Sequence, residues 1–240
     1  MRNLLVILII AISMCSIISC SKNRTNTDNI DEYHFPIKPG TEEWKSFTSH
    51  DEMLQACQIP EDILKGMSTV ELIETVLNYP LSKDIIAYNT PQGGINSQIK
   101  QFNGLSELLK RTDAKEKLLD KYQEINSLEG ENSFKLSYLI CILSQDDIIS
   151  HLSENELSTL LKEGNNKLSK KQESNEPVSS NIKYTVWLMG KAMRQKNFTP
   201  FVEKIQEDKI LQQFLDDGFI VDDEVIEEIE LYVGKCLSAK

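Results

Sequence analysis

Histidines, cysteines and paired carboxylates are the residues of this chain that could do chemistry, and their spacing is sparse. There are three histidines: His34, His50 and His151. No H-E-x-x-H, C-x-x-C or paired-histidine spacing occurs, so neither a metal nor a cofactor is expected. No G-x-S-x-G elbow and no phosphate-binding loop occurs either. A thiol nucleophile needs a base, and His50 lies seven residues before Cys57. On one helix that spacing places both on one face, two turns or about 10 Å apart, too far for a direct hydrogen bond. Cys57 would need another base. Asp216-Asp217 and Asp222-Asp223 flank Gly218-Phe219-Ile220-Val221. A calcium loop wants alternating oxygen ligands and a later Glu, and that pattern is missing, so helix capping is the expected role. Gln92-Gly93-Gly94 after Pro91 reads as a turn before a helix, with anion binding as the alternative. Carboxylate pairs suited to glycan hydrolysis are abundant in an acidic chain and single out no site.

The elements that must position these residues read as short amphipathic helices. Three S-x-x-E capping boxes begin at Ser49, Ser68 and Ser153. In each, the serine oxygen and the glutamate carboxylate satisfy amides of a first helical turn. Leu72, Ile73, Val76 and Leu77 form one apolar face after the second box, and Leu157, Leu160, Leu161 and Leu168 another after the third. The last helix carries Val225, Ile226, Ile229, Val233, Cys236 and Leu237 on one face and Glu224, Glu227, Glu228 and Glu230 on the other. Further helices are expected at 83–88, 95–102, 105–110, 114–125, 134–143, 181–194, 200–207 and 210–215. The run 134–143 is apolar almost all round, which makes it central, as a helix or as a buried strand. Asn103-Gly104 lies between helical patterns, where Gly104 would end a helix in the left-handed region. Residues 165–180 are polar and hold Pro177, as a frayed helix end or a surface loop. The fold class is therefore all-α, a single domain, loosely solenoid-like, with a candidate subdivision near 165–180.

Composition bounds the function. The chain has 240 residues, 40% of them hydrophobic, and 26 Lys+Arg against 37 Asp+Glu give a net charge of −11. That apolar content excludes wholesale disorder, and an acidic chain repels nucleic acid, so no nucleic-acid partner is expected. Met1-Arg2-Asn3 is a short cationic start, residues 4–11 are unbroken apolar, and no charge appears before Lys22. This reads as a signal peptide, since a membrane span needs about 20 apolar residues. Ile17-Ile18-Ser19-Cys20 resembles a bacterial lipobox. The resemblance implies diacylglycerol transfer to Cys20, cleavage after Ser19 and acylation, for example with palmitate, of the new amine. The alternative is a plain signal peptide cut near the same place. The expected organisation is a 1–19 signal, a flexible 20–40 tether and a 41–240 all-α domain. Losing Arg2 makes the mature charge −12, and Cys57, Cys141 and Cys236 remain for the fold. Buried free thiols are their expected state, with one disulfide as the alternative.

Residues 44–122 resemble a block found in bacterial exported proteins of unknown function. The resemblance rests on Gln58-Ile59-Pro60-Glu61-Asp62-Ile63-Leu64, Met67-Ser68-Thr69, Leu77-Asn78-Tyr79-Pro80, Phe102-Asn103-Gly104 and residues 108–114. It implies a shared helical module and no activity. Aromatics concentrate here, and packing is their expected use. If exposed, Trp44, Asn78, Tyr79, Tyr88, Asn89, Asn103 and Arg111 are the candidate binding residues, with capping as the competing role of the polar ones. The expectation is a lipid-anchored exported protein on a bacterial membrane, held to the bilayer through Cys20. It would act as a non-enzymatic binding or scaffold module for an envelope protein or peptide. A hydrolase of an envelope polymer is the alternative.

Overall fold

The computed structural model describes residues 32–125, 131–172, 180–219 and 223–239. The leader, Cys20, the tether as far as residue 31, and Asp222 lie outside them. Among the described residues the chain is all-α, with fourteen α-helices, one 3₁₀ helix and no strand.

Capping starts the helices where the sequence puts it. Ser49 caps α2 (His50–Ala56) and Ser68 caps α4 (Thr69–Leu77), each in a complete capping box. Ser153 and Glu156 exchange the same pair of bonds at the start of α10 (Glu154–Gln172), at 2.7 and 3.3 Å. The Thr48 amide, and after it the Ser49 amide, donate to the Glu52 carboxyl and hold it below the ordinary glutamate range, as bonds from Ser68 and Ser153 do for Glu71 and Glu156.

Two apolar helices organise the core. In α8 (Glu131–Leu143) every residue from 136 onward is buried, and burial continues through Gln145. Residues 134–143 are therefore helix and not strand. In α11 (Ser180–Gln195) residues 185–193 are buried without a break. α8 packs on α11, and α10 and α14 (Asp223–Ser238) cover the rest of α11. α7 (Ala114–Glu124) covers α8, and α12 (Thr199–Glu207) and α13 (Lys209–Asp217) close the C-terminal side. One continuous core joins both halves, and α10 runs helical to Gln172. The rest of the candidate subdivision near 165–180, residues 173–179 with Pro177, lies outside the described residues.

The N-terminal half differs from the sequence expectation in four places. The 20–40 tether is packed at its far end: Phe35 is buried edge-on to Tyr79, and the Tyr33 amide donates to Thr75 Oγ1 at 2.9 Å. Phe35 belongs to the core and Tyr33 packs against it, apolar contacts that residues 21–29 have no side chains to make. Gln92, Gly93 and Gly94 are not a turn; α5 (Pro91–Gln101) starts at Pro91, capped by Thr90. Residues 83–88 are expected as an α-helix but lie mostly in a 3₁₀ helix, Ser82–Ala87. It packs on α5 so closely that a Cβ on Gly94 would sit 2.5 Å from the Ile85 carbonyl oxygen. Gly104 lies inside α6 (Asn103–Leu108) and has no positive φ. It is small because Phe102 and Ile59 fill the space where its Cβ would be.

These contacts predict opposite outcomes for two alanine substitutions. Gly94→Ala should destabilise by about 1–3 kcal/mol, because its clash is with backbone and outweighs the helix-propensity gain of about 1 kcal/mol. Gly234→Ala in α14 meets nothing within 4 Å and should stabilise by about 0.5–1 kcal/mol. Urea unfolding followed by helical circular dichroism measures both. Equal shifts in the two variants would contradict the α5 packing.

Candidate functional site

The sequence-nominated residues do not converge on one surface. Asn103 clamps the backbone of Ile59 from both sides: its Oδ1 accepts from the Ile59 amide at 3.0 Å and its Nδ2 donates to the Ile59 carbonyl at 2.7 Å. Arg111 donates to the carbonyls of Met67 and Leu64 at the end of α3 (Glu61–Gly66) and pairs with Glu107. Both residues brace the fold across more than forty residues of sequence. Tyr79 is buried with its ring stacked on Phe102, 3.9 Å between centroids, and its hydroxyl has no hydrogen-bond partner among the described residues. Burial raises that hydroxyl well above the ordinary tyrosine range. Asn78 bonds Glu32 and, with Tyr79, lines a cavity of about 530 Å³ that also touches Lys83 and Phe134. Trp44 is half-buried and edge-on to Phe47. Tyr88 and Asn89 are exposed, and the Tyr88 hydroxyl donates to Ser97.

The thiols and imidazoles make their contacts with other groups. Cys57, Cys141 and Cys236 are buried free thiols. Burial pushes Cys57 up to about 11 and Cys141 up to about 12, the wrong direction for a thiolate nucleophile. His50 pairs with Asp84 at 3.3 Å, and His151 Nδ1 lies 3.0 Å from the Asp147 carbonyl within its own turn. Asp216 pairs with Arg194, and Asp217 accepts from the Phe219 amide, so both serve local structure. Among the described residues, no cluster of His, Cys, Asp or Glu could hold a metal ion.

A different site emerges around Lys191. A cleft of about 510 Å³ opens between α5, α11, α13 and the short helix α9 (Asp146–Ile149). Gln92, Asn96 and Lys100 line it from α5, Gln145 and Asp146 from the α8–α9 junction, Lys191 and Arg194 from α11, and Asp216 from α13. Lys191 is only 4% exposed. It sits four residues after Trp187, one turn along the face of α11 that meets the core. The Trp187 indole is fixed by its N–H bond to the Leu215 carbonyl at 3.1 Å, and Lys191 Nζ lies 5.3 Å from the ring centroid. Among the described residues its one ion pair is with Asp146, at 3.3 Å, and that carboxylate is 86% exposed. Gln145 is buried, donates to the Cys141 carbonyl and accepts from Gln92 at 2.8 Å, which fixes the inner wall.

Magnitudes show that Lys191 is under-compensated. Desolvating an ammonium costs several kcal/mol, and a desolvated cation–π contact returns about 2 kcal/mol. An ion pair with a solvated carboxylate adds about 0–1 kcal/mol. The net result is that burial lowers the Lys191 ammonium below the ordinary lysine value, with Asp146 opposing the shift. A perturbed titratable group in a cleft marks a functional-site candidate. The sequence signal was a lysine on the otherwise apolar face of 186–193, a stripe that composition alone passes over. Comparison with known proteins gave no matching family model, no matching curated protein and no matching solved structure.

The burial of Lys191 sets the sign of a pH effect. Its folded-state value lies below the ordinary lysine value of 10.5, so between the two the unfolded chain holds more protons. The stability cost is fully present below the folded value and is relieved as pH rises through it. Lys191→Met should therefore raise the thermal midpoint at pH 7, and the gain should shrink as pH climbs toward 10. Calorimetry of both proteins across that range checks it. A variant that is less stable at every pH would contradict the account.

Proposed function

We propose that this chain is a lipid-anchored binding module of a bacterial cell envelope, with the Lys191 cleft as its ligand site. The observation that carries the reading is a buried, under-compensated cation at the base of a polar cleft held by a rigid helical core. Ligand sites combine such concavity with a few fixed polar groups. The sequence supplies the location: a cationic start, an apolar run and a lipobox-like stretch ending in Cys20. Two or three acyl chains on Cys20 would hold the protein on the bilayer, and a polar stretch would separate the domain from it. No described helix is long and apolar enough to cross a membrane.

The arrangement of carboxylates favours binding over hydrolysis of an envelope polymer. A general acid for glycosidic chemistry needs a desolvated carboxyl. In the cleft, the Asp146 and Asp216 side chains are 86% and 56% exposed, and each faces a cation. Lys191 and Arg194 are the groups set inward, and cations placed that way hold a ligand. The partner class is an envelope protein, a peptide or a small molecule carried in that space.

Anchoring is tested by fractionation and mass. The wild-type chain should partition with membranes, and its N-terminal peptide should carry diacylglycerol and acyl mass on Cys20. Cys20→Ala should leave an unprocessed precursor or a protein without lipid. Unchanged membrane partition and mass in that variant would refute the lipid anchor.

A further inference from the structure

The cleft's charge layout narrows the ligand. Lys100, Lys191 and Arg194 line it against Asp146, Asp147 and Asp216. Three cations and three anions leave no net charge, which disfavours a dianion. The charges are not mixed evenly, however. Lys191 is buried at the inner wall, whereas Asp146 and Asp147 are exposed at the rim. Among the described residues the Lys191 ammonium is bonded to the Asp146 carboxylate, at 3.3 Å, and otherwise faces the Trp187 ring. An ammonium has three protons to donate, so donors remain for a ligand. Arg194 lies one turn on and uses Nη1 on Asp216 at 2.7 Å, leaving further guanidinium donors. Gln92 and Asn96 on α5 add side-chain amides opposite.

We propose that the cleft binds a monocarboxylate flanked by an amide, with the carboxylate on Lys191 and Arg194 and the amide against Gln92 and Asn96. An N-acylated amino acid and the C-terminus of a peptide share this chemistry. In the free protein Asp146 occupies Lys191 as an internal competitor. A carboxylate ligand replaces it with a desolvated, better-bonded partner, and Asp146 swings free into solvent. Charge-assisted bonds in a water-poor site are stronger than the exposed pair they replace. The groups facing Lys191 are Asp146 from α9, Asp216 from α13, Arg194 on α11 and Lys100 from α5. Lys191 is the one that is both cationic and buried, so the ligand's charge is read there. This inference rests on the binding-module reading of the cleft.

Calorimetric titration of the purified full-length chain tests it with four probes: N-acetyl-alanine, its amide, N-acetyl-trialanine free acid and inorganic phosphate. N-acetyl-alanine should bind at least tenfold more tightly than its amide. If the trialanine acid binds more tightly still, the source is a peptide terminus; if it does not, the source is a small acylated amino acid. Lys191→Met should lower carboxylate affinity at least tenfold. Asp146→Asn, an exposed change that leaves the fold intact, should raise affinity several-fold by removing the competitor. Equal binding of acid and amide, phosphate binding more tightly than the carboxylates, no binding of either acid, or an unchanged affinity in Asp146→Asn would each overturn the proposal. A null titration beside intact capture of an envelope partner would remove the carboxylate ligand and leave the binding module standing.

Discussion

The packing of α8 on α11 is the constraint from which the rest of the structure follows. Two adjacent helices whose middle turns are buried all round cannot face water on any side. Each of their faces must therefore be covered, and short amphipathic helices do the covering: α7 on α8, α10 and α14 on α11, α12 and α13 at one end. Because those helices are only two to five turns long, their own stability comes from this packing and from their caps. Several polar groups in the interior have a partner at hand: the Trp187 indole N–H reaches the Leu215 carbonyl, and Gln145 is held by Cys141 and Gln92. The Tyr79, Tyr122 and Tyr138 hydroxyls have none among the described residues. Of the buried charges described, Lys167 is paired with Glu163 at 2.8 Å, and Lys191 is the exception, a charge carried inward with too little opposite it.

That exception explains how a structural arrangement becomes a candidate site. A cleft wall built from loops could relax around an uncompensated charge. Here the ammonium is mounted on the most constrained helix of the molecule, beside an indole that is itself fixed. The protein meets a stability cost at this position, and a site kept at a cost to stability is what function leaves behind. The surface pairs, such as Lys65 with Glu61 at 2.5 Å, are of another kind: exposed, screened and worth little. On α14, Glu224 and Glu227 lie on the exposed face.

Much of this architecture was legible in the sequence because it is local. Capping boxes at Ser49, Ser68 and Ser153 work within four residues, and an apolar stripe such as 225–237 is a property of one helix. The centrality of 134–143 followed from its lack of a polar face. What was not legible depends on distant neighbours. Gly94 and Gly104 look like turn residues; they are helical, and small because Ile85, Ile59 and Phe102 press against them. Residues 32–40 look like a linker until Tyr79 and Phe102 provide a place for Phe35. Asn103 and Arg111 were recognisable as special polar residues, yet their bonds to Ile59, Met67 and Leu64 span more than forty positions. The Lys191 cleft joins four elements separated by up to a hundred and twenty residues, so no spacing motif announces it.

The central claim is that Lys191 is a buried cation awaiting an anionic partner. The direct measurement is the titration of its side-chain Nζ by NMR, in the free protein and in the protein saturated with N-acetyl-alanine. The account predicts a free-state value below that of ordinary lysine, and a rise when the carboxylate takes its place beside the ammonium. An ordinary value in the free protein, or one that the carboxylate leaves unmoved, would contradict it.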